Sequence, residues 1–213
     1  YAQPVGSSVW SGSWLRVGVD DIPLTTVPDR SAPVSSVNRP TVLTTASFAQ
    51  NAGVIAWGRR VAATSRGDMH VGLAGKFLLI TAPRGVNAFG FGADAGAVGS
   101  WRLNDARRLR AGVSVQDFTR TKVFWNTAPV VGETSQRDII LPNVKAGVAL
   151  VQDLLGDSTV TITADTDTKY DFEMHYGAEW DIARTLAIRL GVLERKSAAE
   201  TLRDITAGAG FRL

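Results

Sequence analysis

Glu179 and Arg189 are the pair whose types and spacing most invite chemistry. Their numbers are symmetric about Arg184, so a tight turn there sets them opposite each other on consecutive strands. Around them Asp171, Glu173, His175 and Asp181 recur at odd positions, and Lys145, Arg110 and Arg212 add cations on other strands. A set of both signs on one wall can form ion pairs that fill and stiffen an enclosed space, or a constriction that selects permeants. His70 and His175 are the only histidines. A metal site needs further ligands at suitable spacing, and none accompany them, so no metal is expected. His175 shares its face with Glu173, but a Ser–His–acid hydrolase also needs a serine nucleophile, and no such motif is present. Neither an enzyme nor a cofactor is expected.

What positions these residues is a run of alternation. From Tyr170 to Ile182 the even positions are Tyr, Phe172, Met174, Tyr176, Ala178, Trp180 and Ile182, and the odd ones are polar or glycine. A period of two is a strand with one apolar and one polar face. The same pattern recurs over 8–19, 42–64, 69–81, 86–98, 108–118, 143–152, 157–168, 186–192 and 204–213, with no amphipathic helix between to cover an apolar face. The fold expected is therefore all-β: an antiparallel transmembrane β-barrel, apolar face to lipid and polar face to a lumen.

Composition is consistent with this and excludes several classes. The chain has 213 residues, 45% of them apolar, and no cysteine, so it holds no disulfide or Cys-based metal site. No apolar run approaches the roughly 18 residues of a spanning helix. The net charge is only +3, with cations scattered among acids, and no nucleic-acid partner is expected. The chain opens Tyr-Ala-Gln-Pro, without the pattern of a signal peptide. Tyr1–Val5 reads as the end of a strand that began earlier, and the chain as one barrel domain, 1–213, incomplete at its start.

Connections sort by length. The turns at Arg66-Gly67-Asp68, Asn104-Asp105, Leu155-Gly156-Asp157 and Ala183-Arg184 fall on one side, the periplasmic one. Arg66-Gly67-Asp68 matches a cell-adhesion tripeptide but is placed here as a turn. The long segments 20–40, with Pro23, Pro28, Pro33 and Pro40, and 119–141, with Phe124, Trp125, Pro129, Val130 and Val131, fall outside as external loops. Phe124 and Trp125 are the expected contacts for a partner at the external face. Trp10, Trp57, Trp101, Trp125 and Trp180 lie near strand ends, as an aromatic belt requires.

An ordered series of short motifs resembles the PorV/PorQ family of outer-membrane barrels, relatives of the FadL fatty-acid transporters. It comprises Gly72-Leu-Ala-Gly-Lys76-Phe, Phe89-Gly-Phe-Gly-Ala-Asp94-Ala-Gly96, Leu109-Arg-Ala-Gly-Val-Ser-Val-Gln-Asp117, Trp125, and Leu141-Pro142 with Gly147-Val-Ala. It continues through Ala164-Asp165, Tyr176-Gly-Ala-Glu179-Trp180 and Leu186-Ala-Ile-Arg189-Leu-Gly191 to Gly208-Ala-Gly210-Phe211. The resemblance implies a barrel of about 14 strands with about 11 represented here, Tyr1 falling in about the fourth. It further implies a bacterial outer-membrane location and a partner-binding role in protein secretion or in surface attachment and envelope assembly. The alternative it carries is a FadL-like channel for hydrophobic small molecules. Thr206, Gly208, Phe211 and Leu213 resemble the terminal signal read by barrel-assembly machinery, an apolar edge strand with a flexible glycine. Expected partners are thus outer-membrane lipid, that machinery and a protein at the external face.

Overall fold

The computed structural model describes residues 1–126, 136–169, 172–196 and 200–212. Pro129, Val130, Val131, Tyr170, Asp171 and Leu213, singled out above, lie outside the described residues.

Alternating sequence becomes antiparallel sheet throughout. The strands are β1 (Ala2–Val5), β2 (Ser8–Thr26), β3 (Thr41–Ala63), β4 (Gly67–Ala82), β5 (Val86–Asn104), β6 (Arg107–Gln116) and β7 (Thr121–Trp125). They continue with β8 (Arg137–Ile140), β9 (Asn143–Asp153), β10 (Thr159–Asp167), β11 (Phe172–Ile182), β12 (Leu186–Lys196) and β13 (Thr201–Phe211). A 3-10 turn, Pro83–Gly85, joins β4 to β5. The strands pair in the order β1-β2-β3-β4-β5-β6-β9-β10-β11-β12-β13, consecutive in sequence except where β6 meets β9. The sheet is not closed: β1 and β13 are the ends of this path.

The 13 strands exceed the eleven expected from sequence because 119–141 is not simply a loop. β7 pairs with the start of β5, and β8 pairs with β7. Thus β5 is flanked along one side first by β7, at Ala88–Phe91, and then by β6, at Ala95–Asn104. The interruption is a turn at 117–120, where Asp117 (φ 55°) and Arg120 (φ 57°) adopt the left-handed conformation. Segment 20–40 is also shorter as a loop than expected. Two adjacent acids and Pro23 hid a bulge at Asp20-Asp21, with Asp21 at φ 56°, after which β2 resumes to Thr26. β1 covers only Ser8–Ser11, so β2 has an open edge beyond it, where proline is tolerated.

Burial is inverted relative to a water-soluble sheet. Ile162, Phe172, Tyr176, Trp180 and Leu190 are exposed on one face, whereas Glu173 on the other is only 7% exposed. The buried apolar residues, Ala49, Ala88, Val123, Val151 and Ala187, are small or medium-sized. On β10–β12 the large apolar side chains therefore form an exposed face and not a core. β9, β11, β12 and β13 have 11 residues each and β10 has 9, lengths suited to a tilted crossing of a hydrocarbon layer.

Candidate functional site

Register builds the polar face. Lys145 is opposite Asp167, Asp167 opposite Glu173, and Glu173 opposite Arg195, so one transverse row crosses β9, β10, β11 and β12. Two carboxylates directly opposite each other repel. Here each has its own cation: Lys145 Nζ lies 2.8 Å from Asp167 Oδ2, and Arg195 Nε donates to Glu173 Oε1. His175 is set between Asp165, 2.7 Å from its Nδ1, and Glu173, 3.6 Å from its Nε2.

Toward the β11–β12 turn the charges form separate rungs. Glu179 and Arg189 are cross-strand partners and hydrogen-bond through Arg189 Nε. Arg212 lies 3.7 Å from Asp181 Oδ2, while Asp181 Oδ1 is buried without a partner. The sequence-derived charges are thus brought into two groups, Glu173 with His175, and Glu179, Asp181, Arg189 and Arg212 nearer the turn. Arg195, Asp165 and Asp167 complete the first group and were missed. The signal was available: Glu173 and Arg195 are symmetric about the same Arg184 as Glu179 and Arg189.

A second cluster also escaped sequence reading as a unit. Lys76 on β4 lies 2.7 Å from Asp94 and 2.8 Å from Asp117, and Asp117 accepts a hydrogen bond from the hydroxyl of the fully buried Thr121. Asp94 Oδ1 also accepts from the Asp117 backbone N–H at 2.7 Å. A methyl group on Gly92 would overlap the Thr121 side chain, so only glycine lets β7 lie this close to β5.

Phe124 and Trp125 are in β7, not at a loop tip. Phe124 stacks between Phe89 and Phe91, with ring centroids 5.2 and 6.0 Å away. Trp125 Nε1 donates to Asp138 Oδ2 at 2.8 Å, tying β7 to β8. Their aromatic character had suggested free loop contacts, but the continuation of the sheet absorbs them into the wall. The described segment at the same edge is 27–40, folded around Asn38. Asn38 Oδ1 accepts from Asp29 N–H at 3.0 Å, and its Nδ2 donates to the Asp29 and Ala32 carbonyls at 2.8 and 3.0 Å. Two hydrogen bonds from Ser31, first from its hydroxyl and then from its N–H, hold the Asp29 carboxyl below its usual pKa.

Thr206 and Gly208 are on β13, opposite Gly191 and Arg189, and Phe211 at its end is opposite Leu186 and 77% exposed. β13 therefore presents an open apolar edge. No family model, curated protein or solved structure matches the chain.

Proposed function

We propose that this chain forms the wall of a bacterial outer-membrane β-barrel and acts as a partner-binding accessory in protein secretion or surface attachment. The observation that carries the membrane reading is the inversion across β9–β12: large apolar side chains stay exposed on one face there, while ion pairs occupy the other. Lipid would cover the first face, and a lumen would hold the second. Closure would pair the β1 and β13 edges with each other or with further strands. The Thr206, Gly208 and Phe211 pattern on the open edge strand β13 supports recognition by barrel-assembly machinery.

The partner-binding role is supported by the ordered motif series that resembles PorV/PorQ barrels and by the ion-pair row across β9–β12, which would set charge in the path of a hydrophobic solute. Segment 27–40 and the β7–β8 hairpin stand at the same edge, opposite the short turns, and would face outward. One observation favours the FadL-like alternative. On β2–β4 the polar face carries a mostly apolar hollow of about 100 Å³ lined by Leu15, Val17, Ala52, Leu78 and Ile80 beside Gln50 and Asn51. The test is crosslinking in intact outer membranes followed by purification. A stoichiometric protein crosslinked through 27–40 or 137–140 supports the partner role; a bound acyl compound without such a protein supports the conduit.

A further inference from the structure

The short-turn edge of β3–β6 holds an unbalanced set of arginines. Arg102 and Arg108 are direct cross-strand partners, an arrangement that costs stability because like charges repel. Arg108 is neutralised by Asp153 at 3.0 Å. Among the described residues Arg60, Arg66 and Arg102 form no ion pair. The turn carries Arg66 to this place: its carbonyl accepts from Arg102 N–H at 2.6 Å, and Thr64 Oγ1 accepts from the Arg66 and Gly67 N–H groups. A methyl group on Gly67 would overlap the Ser100 carbonyl, so the close approach of turn and β5 depends on glycine.

Between these elements is a pocket of about 250 Å³ whose lining includes Arg60, Arg66, Arg102, Arg108, Ser100 and Asp68. Asp68 is the one carboxylate of that lining, and it lies 3.6 Å from His70 Nδ1. Guanidinium groups are planar forks that hold two oxygens of one anion at once. Three of them without a carboxylate partner, with Arg108 beside them, call for an anion that offers several oxygens. We propose that this pocket binds a phosphate group, either free inorganic phosphate or the phosphoryl headgroup of an anionic lipid. The inference rests on the pocket alone and not on the partner-binding reading above.

The experiment compares the purified full chain with its Arg60→Gln/Arg102→Gln double variant and with Arg189→Gln as a control on the same face. Inorganic phosphate is titrated at constant ionic strength, with binding followed by calorimetry and by thermal unfolding. Phosphatidylglycerol in mixed micelles is titrated separately. Ligand that binds the native state raises its unfolding temperature. The expected result is a shift with at least one of the two probes, weakened by about tenfold or more in the double variant and unchanged in Arg189→Gln. A response to inorganic phosphate identifies free phosphate; a response to the lipid alone identifies the headgroup. In phosphate-free buffer the double variant should unfold no earlier than the native chain, because a repulsive contact is gone. No shift with either probe, or an equal shift in the double variant, overturns the proposal.

Discussion

The ammonium of Lys76 lies 2.8 Å from the carboxylate of Asp117, and this pair fixes the point where β6 gives way to β7. Asp117 has a left-handed backbone, and its other contacts run to Thr121 and to Asp94. Removing the ammonium leaves two carboxylates close together with little access to water. Lys76→Met should therefore cost about 2–3 kcal/mol. Pairing the change with Asp117→Asn should recover part of that loss, because the second charge goes with the first. Urea unfolding of the single and double variants measures both quantities. Additive losses would show that the two groups do not act together.

The two faces of β10 make the membrane reading quantitative. Ile162 is in the middle of the strand, 56% exposed, opposite Leu150 on β9 and Ala178 on β11. In a bilayer Ile162→Arg should cost roughly 2–4 kcal/mol. Ala149→Glu, on the polar face and directly opposite Arg110, should be nearly neutral. Spin labels at Phe172 and Glu173 should separate in the same way, the first relaxed by lipid-soluble quenchers and the second by water-soluble ones. Equal accessibility at the two labels would end the barrel reading.

Strand existence and facing were legible in the sequence because period-two alternation depends only on the pleat. The same parity placed Glu179 opposite Arg189, since a tight turn makes register a matter of arithmetic. What could not be read is whatever the backbone does off that lattice. The bulge at Asp20-Asp21 hid the last residues of β2, and the left-handed pair Asp117 and Arg120 hid β7. Phe124 looked like a free loop aromatic because its stacking partners, Phe89 and Phe91, are on a strand reached only through that turn. Asn38 gave no signal either. Its role comes from hydrogen bonds to backbone groups of residues 29–33, and these have no sequence pattern.

Asn38 is only 5% exposed within a mostly exposed segment, and its side chain bonds the backbone of Asp29, Ala32 and Pro33, which orders this part of 27–40. Asn38→Ala should make this segment the first site of proteolytic cleavage while leaving the strands protected. Acid should have a related but smaller effect. The Asp29 pKa is held below 3.8, so its bonds to Ser31 are fully present above that value and are lost as pH falls through the lower folded value. Cleavage of the native segment should therefore be flat from neutral pH down to about 4. Asp29→Ala should raise it across that whole range. A rise between pH 7 and 5 in the native protein would assign the order to another group.

The aromatic pair on β7 decides between the two functions. Phe124 contributes a stack on the apolar face, so Phe124→Ala should cost about 0.5–1.5 kcal/mol beyond its lost area. Trp125→Phe removes the bond to Asp138 and leaves a smaller aromatic ring in its place. It should loosen β8 from β7 with little effect on the other strands, which hydrogen exchange along 121–140 can follow. If a protein partner docks on this hairpin, Trp125→Phe should weaken its retention in crosslinked membranes while leaving entry of small hydrophobic compounds unchanged. The opposite outcome, an intact partner and altered uptake, would make the hairpin a cover over a transport path. The apolar hollow around Leu15, Val17 and Ile80 would then be the place to look for the transported molecule.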